Sequence, residues 1–159
     1  MTTADTQTET VTSTAFRVNI STTIEIDRPA SVVWAALTDR DAYSQWNTFI
    51  RSWQGELELG ARQTVRIEPT ETMGQTFRPR IIDLDPGRLV VWLGRVGVPG
   101  ILDGAHRFEV QPIGAHRTRL IQSEVLSGML VPVFRRMLTV DTPAAFSRMN
   151  AELAARVVA

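Results

Sequence analysis

The segment GAHRFEVQPIGAHRTRLIQSEVLSG, residues 104–128, contains two predicted strands joined by a turn. Successive side chains of a strand point to opposite faces, and in each of these strands a polar side chain falls on an otherwise apolar face. These side chains are His106 in the first strand and Gln122 and Glu124 in the second. Because a buried polar group needs a partner, the three residues are expected to contact each other, a ligand or trapped water. The segment therefore predicts an antiparallel sheet whose inner face borders a ligand cavity.

Composition excludes several functional classes. The chain has 159 residues, which is the length of one domain, and its 17 basic residues balance its 17 acidic residues. No net field favours nucleic acid, so no nucleic-acid partner is expected. The absence of cysteine excludes thiol nucleophiles, iron–sulfur clusters and disulfides, and it is compatible with the cytoplasm, where we expect the protein.

The chain divides into a short tail and one domain. Residues 1–15 are rich in threonine and poor in large apolar side chains, so we expect a disordered N-terminal tail. Residues 16–159 are expected to form a single ligand-binding domain. No run of about 18 apolar residues occurs, so stable membrane insertion is not expected. The oligomeric state stays open between monomer and homodimer.

Periodicity predicts an α+β fold. Alternation over 18–26 predicts the first strand, and two short helices follow at Ala30–Thr38 and Asp39–Ser44. Six further strands are predicted at Arg51–Leu57, Arg62–Glu68, Thr76–Asp85, Arg88–Gly94, Gly104–Gln111 and Arg117–Ser127. The C-terminal residues have helical spacing, as either two helices or one long helix kinked near Pro143. A curved seven-stranded antiparallel sheet would surround this helix and leave a pocket between them.

Several motifs in this order carry a resemblance to a known superfamily. They are IDRPASVVW (26–34), WNTFI (46–50), GAHRF (104–108), LVP (130–132), and Phe146 with Met149-Asn150. Over residues 17–157 the chain resembles the helix-grip fold of the START, birch-pollen-allergen and polyketide-cyclase superfamily (SRPBCC), and most closely its bacterial cyclase/dehydrase-like members. The resemblance implies binding of lipids, sterols, polyketides, plant hormones or quinones, with cyclisation, dehydration or condensation in a minority. It carries no catalytic motif onto numbered positions, and the fold does not choose among these functions.

His106 and Glu124 are the candidate catalytic residues. An imidazole that faces an apolar pocket is suited to move protons, and a carboxylate beside it would orient it if the two strands pair in the required register. The alternatives are a structural histidine and a glutamate that is solvated or paired with an arginine. The candidate ligand-binding residues are Trp53, Arg80, Trp92, Phe108, Gln122, Met129, Met137, Phe146, Met149 and Asn150.

Neither a metal nor a cofactor is expected. His106 and His116 belong to no cluster with ligand spacing, and no glycine-rich phosphate loop precedes a helix. The leading hypothesis is a protein that binds a hydrophobic, ring-containing small molecule in a cavity larger than about 300 Å³. The alternative is a polyketide-cyclase-like enzyme with His106 as acid or base. A third hypothesis, a membrane-docking or partner-binding surface, rests on Val131, Val133, Phe134 and Arg135-Arg136.

Overall fold

The computed structural model describes residues 6–159 as two antiparallel sheets and a long C-terminal helix. The strands of this part of the chain are β1 (Gln7–Ser13), β2 (Arg17–Ile26), β3 (Ile50–Gln54), β4 (Thr64–Thr70), β5 (Met73–Phe77), β6 (Arg80–Asp85), β7 (Leu89–Val96), β8 (Leu102–Gly114) and β9 (Arg117–Ser127). The helices are α1 (Ala30–Thr38), a 3₁₀ turn (Arg40–Ala42), α2 (Tyr43–Trp46), α3 (Val131–Arg136), a π-helical segment (Met137–Asp141) and α4 (Thr142–Val158).

The prediction of one seven-stranded sheet is wrong in strand number and in sheet number. The nine strands found in residues 6–159 form a six-stranded sheet in the order β1-β2-β9-β8-β7-β6 and a three-stranded sheet in the order β3-β4-β5. The predicted strand Thr76–Asp85 is interrupted between β5 and β6 by Arg78-Pro79. Proline has no N–H to give to a ladder, so the chain leaves β4 there and β6 pairs with β7 in the other sheet.

The expectation of a disordered tail over residues 1–15 is wrong for Gln7–Ser13. These residues form β1, which pairs antiparallel with β2 along its whole length. The stretch has no apolar alternation because it is an edge strand with both faces largely exposed. Hydrogen bonding to β2 therefore stabilises Gln7–Ser13 as a strand, although the side chains of this segment do not predict one. Residues 1–5 lie outside the described part of the chain.

The first short helix has the predicted bounds, and the second differs in detail. Helix α1 occupies the predicted residues, whereas the second short helix, predicted at Asp39–Ser44, is a 3₁₀ turn followed by α2 and ends at Trp46. From Val131 to Val158 the chain is helical without a gap, so one interrupted helix is found, not two separate helices. The interruption is the π-helical segment, where the N–H of Thr142 bonds to the carbonyl of Met137, five residues back. It precedes Pro143, which has no N–H to continue an α-helical ladder.

The space between the six-stranded sheet and α4 is filled. Strand β2 buries alternate side chains toward the helix, as its sequence predicts. Helix α4 buries Phe146, Met149 and Leu153 on the side that faces the sheet, and Phe49 packs on Phe146 with ring centroids 5.4 Å apart. The predicted location of the ligand cavity is therefore occupied by core side chains.

Candidate functional site

The predicted polar residues of β8 and β9 form a buried hydrogen-bonded chain. The strand register pairs His106 with Glu124, and His106 is only 1% exposed. Its Nε2 lies 3.1 Å from Oε1 of Gln122, whose Nε2 donates to Oδ1 of Asn150 over 2.8 Å and lies 3.3 Å from the carbonyl of Phe146. Asn150 donates in turn to the hydroxyl of Thr22 over 2.9 Å. The chain thus links β8, β9, α4 and β2.

A main-chain carbonyl sets the direction of every hydrogen bond in this chain. The hydroxyl of Thr22 donates to the carbonyl of Gln122 over 3.1 Å, so its oxygen accepts from the amide of Asn150. Asn150 then accepts from the amide of Gln122, and Oε1 of Gln122 is left to accept from His106. Nε2 of His106 therefore carries a hydrogen, and the ring presents Nδ1 to the carboxylate of Glu124 at 3.6 Å.

The contact between His106 and Glu124 is a close approach without a direct hydrogen bond. Nδ1 of His106 lies 3.6 Å from Oε2 of Glu124, which is beyond hydrogen-bonding distance. His106 thus places the carboxylate of Glu124 at the end of the buried chain.

Glu124 borders a small pocket between the two sheets. The pocket has a volume of about 70 Å³, and its walls are formed by Ile67, Phe77, Pro79, Trp92, Gly94, Arg95, Val96, Leu102, Gly104 and Glu124. Most of these side chains are apolar. Glu124 is the one carboxylate among the residues that form the walls, and its side chain is 15% exposed.

Two adjacent glycines create the pocket. Gly94 in β7 and Gly104 in β8 are partners in the strand register, next to the pair Trp92 and His106. The rings of Trp92 and His106 cover the inner face of the sheet, whereas the two glycines have no side chains to cover it. A Cβ added to Gly104 would lie 2.7 Å from Oε1 of Glu124, so the carboxylate occupies the space that this glycine leaves.

The groups with clearly shifted pKa values lie away from this pocket. Burial raises the pKa of Tyr43, whose hydroxyl donates to the carbonyl of Leu37. On the opposite face of β8, hydrogen bonds from Gln111 and Arg107 lower the pKa of Glu109. Neither group contacts the walls of the pocket, so these shifts bear on stability.

The structure brings only part of the predicted site together. Trp92 and Glu124 border the pocket, whereas Met137 borders a separate surface groove. His106, Gln122 and Asn150 form the buried chain behind Glu124. The remaining predicted ligand contacts lie away from the pocket: Trp53, Phe108, Phe146 and Met149 in the core, and Arg80 and Met129 at the surface.

Local contacts explain two of these placements. The indole N–H of Trp53 donates to Gln63 over 2.8 Å, which fixes the ring in the core. The guanidinium of Arg80 donates to the carbonyl of Gly60 over 2.7 Å, outside the pocket.

The contribution of the three-stranded sheet to the pocket was not predicted from the sequence. Ile67, Phe77 and Pro79 come from β4, from the end of β5 and from the link to β6. Their position depends on the break at Pro79, which alternation alone does not show. A usable signal was the pair Gly94 and Gly104, since two glycines on one inner face leave a hollow.

Residues 6–159 contain no group of three or more histidine, cysteine, aspartate or glutamate side chains placed to hold a metal ion. Within the same residues, no helix combines the length and the apolar character of a membrane span. Of the apolar side chains considered for docking, Val131 is buried and Val133 is 71% exposed.

Comparison with known proteins identifies the family. The model of the family described as polyketide cyclase / dehydrase and lipid transport matches residues 17–159. The chain belongs to this family. As a member of the polyketide cyclase/dehydrase and lipid-transport family, it has the α+β helix-grip architecture, here with nine strands in its described residues. A search of curated proteins found no match.

Solved structures share the fold of this family member at low sequence identity. The Zhui aromatase/cyclase from Streptomyces sp. R1128 aligns with a TM-score of 0.68 and 20% identity over 90% of this chain and 96% of that one. A START superfamily protein from Mycobacterium smegmatis aligns with a TM-score of 0.71 and 19% identity over 88% and 97%. Norcoclaurine synthase from Thalictrum flavum aligns with a TM-score of 0.65 and 14% identity over 89% and 87%. At these identities the similarity establishes the fold alone.

Proposed function

We propose that this protein binds an apolar, ring-containing small molecule through a hydroxyl or amine group that donates to Glu124. The observation that carries the proposal is a carboxylate, backed by His106, at the border of a pocket whose walls are mostly apolar. A carboxylate in such surroundings is stabilised by a donor. A hydrogen bond to a charged group contributes about 1.5–3 kcal/mol, so the site would select ligands with a donor.

The comparisons support this ligand chemistry. The family includes polyketide cyclases, dehydrases and lipid-transport proteins. The structure of norcoclaurine synthase holds dopamine and hydroxybenzaldehyde, and both molecules are rings with phenolic hydroxyl groups. A phenol is the group that Glu124 would recognise, with the ring against Trp92 and the apolar walls.

The test uses two probes of similar shape. 4-Ethylphenol donates a hydrogen bond and 4-ethylanisole does not. Their binding is measured by calorimetry and by the intrinsic tryptophan fluorescence, to which Trp92 contributes. The phenol is expected to bind about tenfold more tightly, and the preference is expected to fall severalfold in Glu124→Gln, whose amide is a weaker acceptor. Glu58→Gln, an exposed glutamate away from the pocket, is the matched control. Failure of 4-ethylphenol to bind, or an unchanged preference in Glu124→Gln, overturns the proposal.

The carboxylate of Glu124, with His106 behind it, favours a second function, aldol cyclisation. In this reaction the carboxylate of Glu124 removes a proton from a carbon beside a substrate carbonyl. The resulting enolate carbon bonds to a second carbonyl carbon, and Glu124 returns the proton to the new alkoxide oxygen. Glu124 would be the catalytic residue, and His106, which lies behind it, a positioning residue.

The first step of this reaction is measurable without the natural substrate. Benzoylacetone in D₂O exchanges the protons between its carbonyls, and NMR follows the rate. The enzyme hypothesis predicts acceleration by the wild type and its loss in Glu124→Gln, with Glu58→Gln unaffected. Exchange at the buffer rate with the wild-type protein contradicts this function and leaves the binding proposal standing.

A further inference from the structure

The pocket at Glu124 is too small to contain a ring-bearing ligand by itself. Its volume is about 70 Å³, whereas a cavity known to bind benzene has roughly 150 Å³. Ligand pockets commonly have volumes of about 300–1,000 Å³. A ligand whose donor group meets Glu124 must therefore extend beyond this pocket.

A groove next to the pocket supplies the missing space. It has a volume of about 290 Å³ and lies between the hairpin of β4 and β5 and the π-helical segment. Its walls are formed by Ile67, Pro69, Thr72, Met73, Gly74, Gln75, Phe77 and Met137. Together the two spaces fall within the usual range for a ligand site.

Ile67 and Phe77 connect the two spaces. Both residues border the pocket and both border the groove, so their side chains form a shared wall. Phe77 is the last residue of β5, an edge strand of the three-stranded sheet, and the chain leaves that sheet directly after it. A rotation of one terminal side chain on an edge strand can therefore join the pocket to the groove without disturbing the six-stranded sheet.

We propose that the pocket and the groove form one elongated site for an amphiphilic molecule. This rests on the proposed function: the donor group of the ligand meets Glu124, and its apolar body passes Ile67 and Phe77 to lie against Met73 and Met137. Methionine side chains adapt to different shapes, so the groove accepts bodies of different length and branching. The preferred ligand is a phenol or alcohol with an apolar extension, because a compact ring would fill only part of the elongated site.

The test lengthens the probe along the groove. 4-Heptylphenol has the same donor as 4-ethylphenol and five more methylene groups. Because the groove is open on one side, the extension is expected to raise the affinity of the wild type by roughly thirtyfold, less than full burial would give. Met137→Glu, which places a charge in the groove, is expected to reduce this gain to less than about threefold. Val140→Glu is the matched control, because Val140 is exposed on the same π-helical segment and does not border the groove.

A kinetic measurement tests the shared wall. If the side chain of Phe77 must move before the heptyl chain enters, Phe77→Ala speeds the association of 4-heptylphenol in stopped-flow fluorescence. An unchanged association rate contradicts a wall at Phe77.

The outcomes separate this inference from the proposed function. Equal affinities for the two phenols, with the preference for 4-ethylphenol over 4-ethylanisole intact, overturn the elongated site alone. An equal loss of the heptyl gain in Met137→Glu and Val140→Glu also overturns it. Failure of the wild type to bind 4-ethylphenol overturns the proposed function itself.

Discussion

Replacement of Gly104 by alanine is expected to change ligand selection with little effect on stability. The new Cβ would lie 2.7 Å from Oε1 of Glu124 and 3.2 Å from a methyl group of Leu126. The first distance is shorter than real contacts, so the carboxylate must move. It is the far end of a flexible side chain, and the φ angle of Gly104 is not positive, so the backbone accepts alanine. The gain of about 0.5–1 kcal/mol from removing a strand glycine offsets the cost of the displacement.

Gly94→Ala is the matched control for this experiment. Gly94 is the strand partner of Gly104 and borders the same pocket, but its added Cβ would meet Pro79 at an ordinary 3.7 Å. Both variants lose a similar volume, whereas only Gly104→Ala displaces the carboxylate. The preference for 4-ethylphenol over 4-ethylanisole is expected to fall about tenfold in Gly104→Ala and to stay unchanged in Gly94→Ala. Urea unfolding checks stability. A preserved preference in Gly104→Ala, or its equal loss in both variants, would refute the role of this space.

Three further predictions concern stability. Asn150→Leu leaves the buried amide of Gln122 without its main acceptor and is expected to lower the free energy of unfolding by about 1–3 kcal/mol in urea. Tyr43 is the one tyrosine of the chain, and burial raises its pKa. The folded protein is therefore expected to show no tyrosinate absorbance near pH 10. It is expected to lose stability above that pH, because only the tyrosine of the unfolded chain ionises there. Hydrogen bonds lower the pKa of Glu109, so the Glu109 carboxylate stabilises the fold above about pH 4.3 and loses this effect as the pH falls. The stability of Glu109→Gln is therefore expected to depend less steeply on pH in acid unfolding. Reversible tyrosinate formation in the folded state, or unchanged acid sensitivity of Glu109→Gln, would contradict these accounts.

Strong local signals located several elements from the sequence. The predicted bounds of β9 and α1 agree with the structure. The side-chain alternation that predicts β9 and the helical spacing after Pro29 that predicts α1 each depend only on residues of that element. The inward positions of His106 and Gln122 are confirmed, since alternation fixes the face of each residue. β1 was missed because its order comes from pairing with β2.

The location of the pocket was not predictable from single segments. Polar side chains on an inner face indicated a cavity, but Asn150 of α4 satisfies Gln122, and the helix approach that permits this is a tertiary property. The hollow lies two residues further along β7 and β8 than the pair Trp92 and His106, at Gly94 and Gly104. The wall opposite these glycines depends on the break in the chain at Pro79. Phe77 lies before the break in the three-stranded sheet, and β6 lies after it in the six-stranded sheet.

A crystal structure with 4-heptylphenol would show which of two places in the fold binds the ligand. We expect the phenol oxygen within hydrogen-bonding distance of the Glu124 carboxylate, the side chain of Phe77 turned from its present position, and the heptyl chain beside Met137. A phenol bound between the six-stranded sheet and α4, in place of the contact between Gln122 and Asn150, would contradict this expectation.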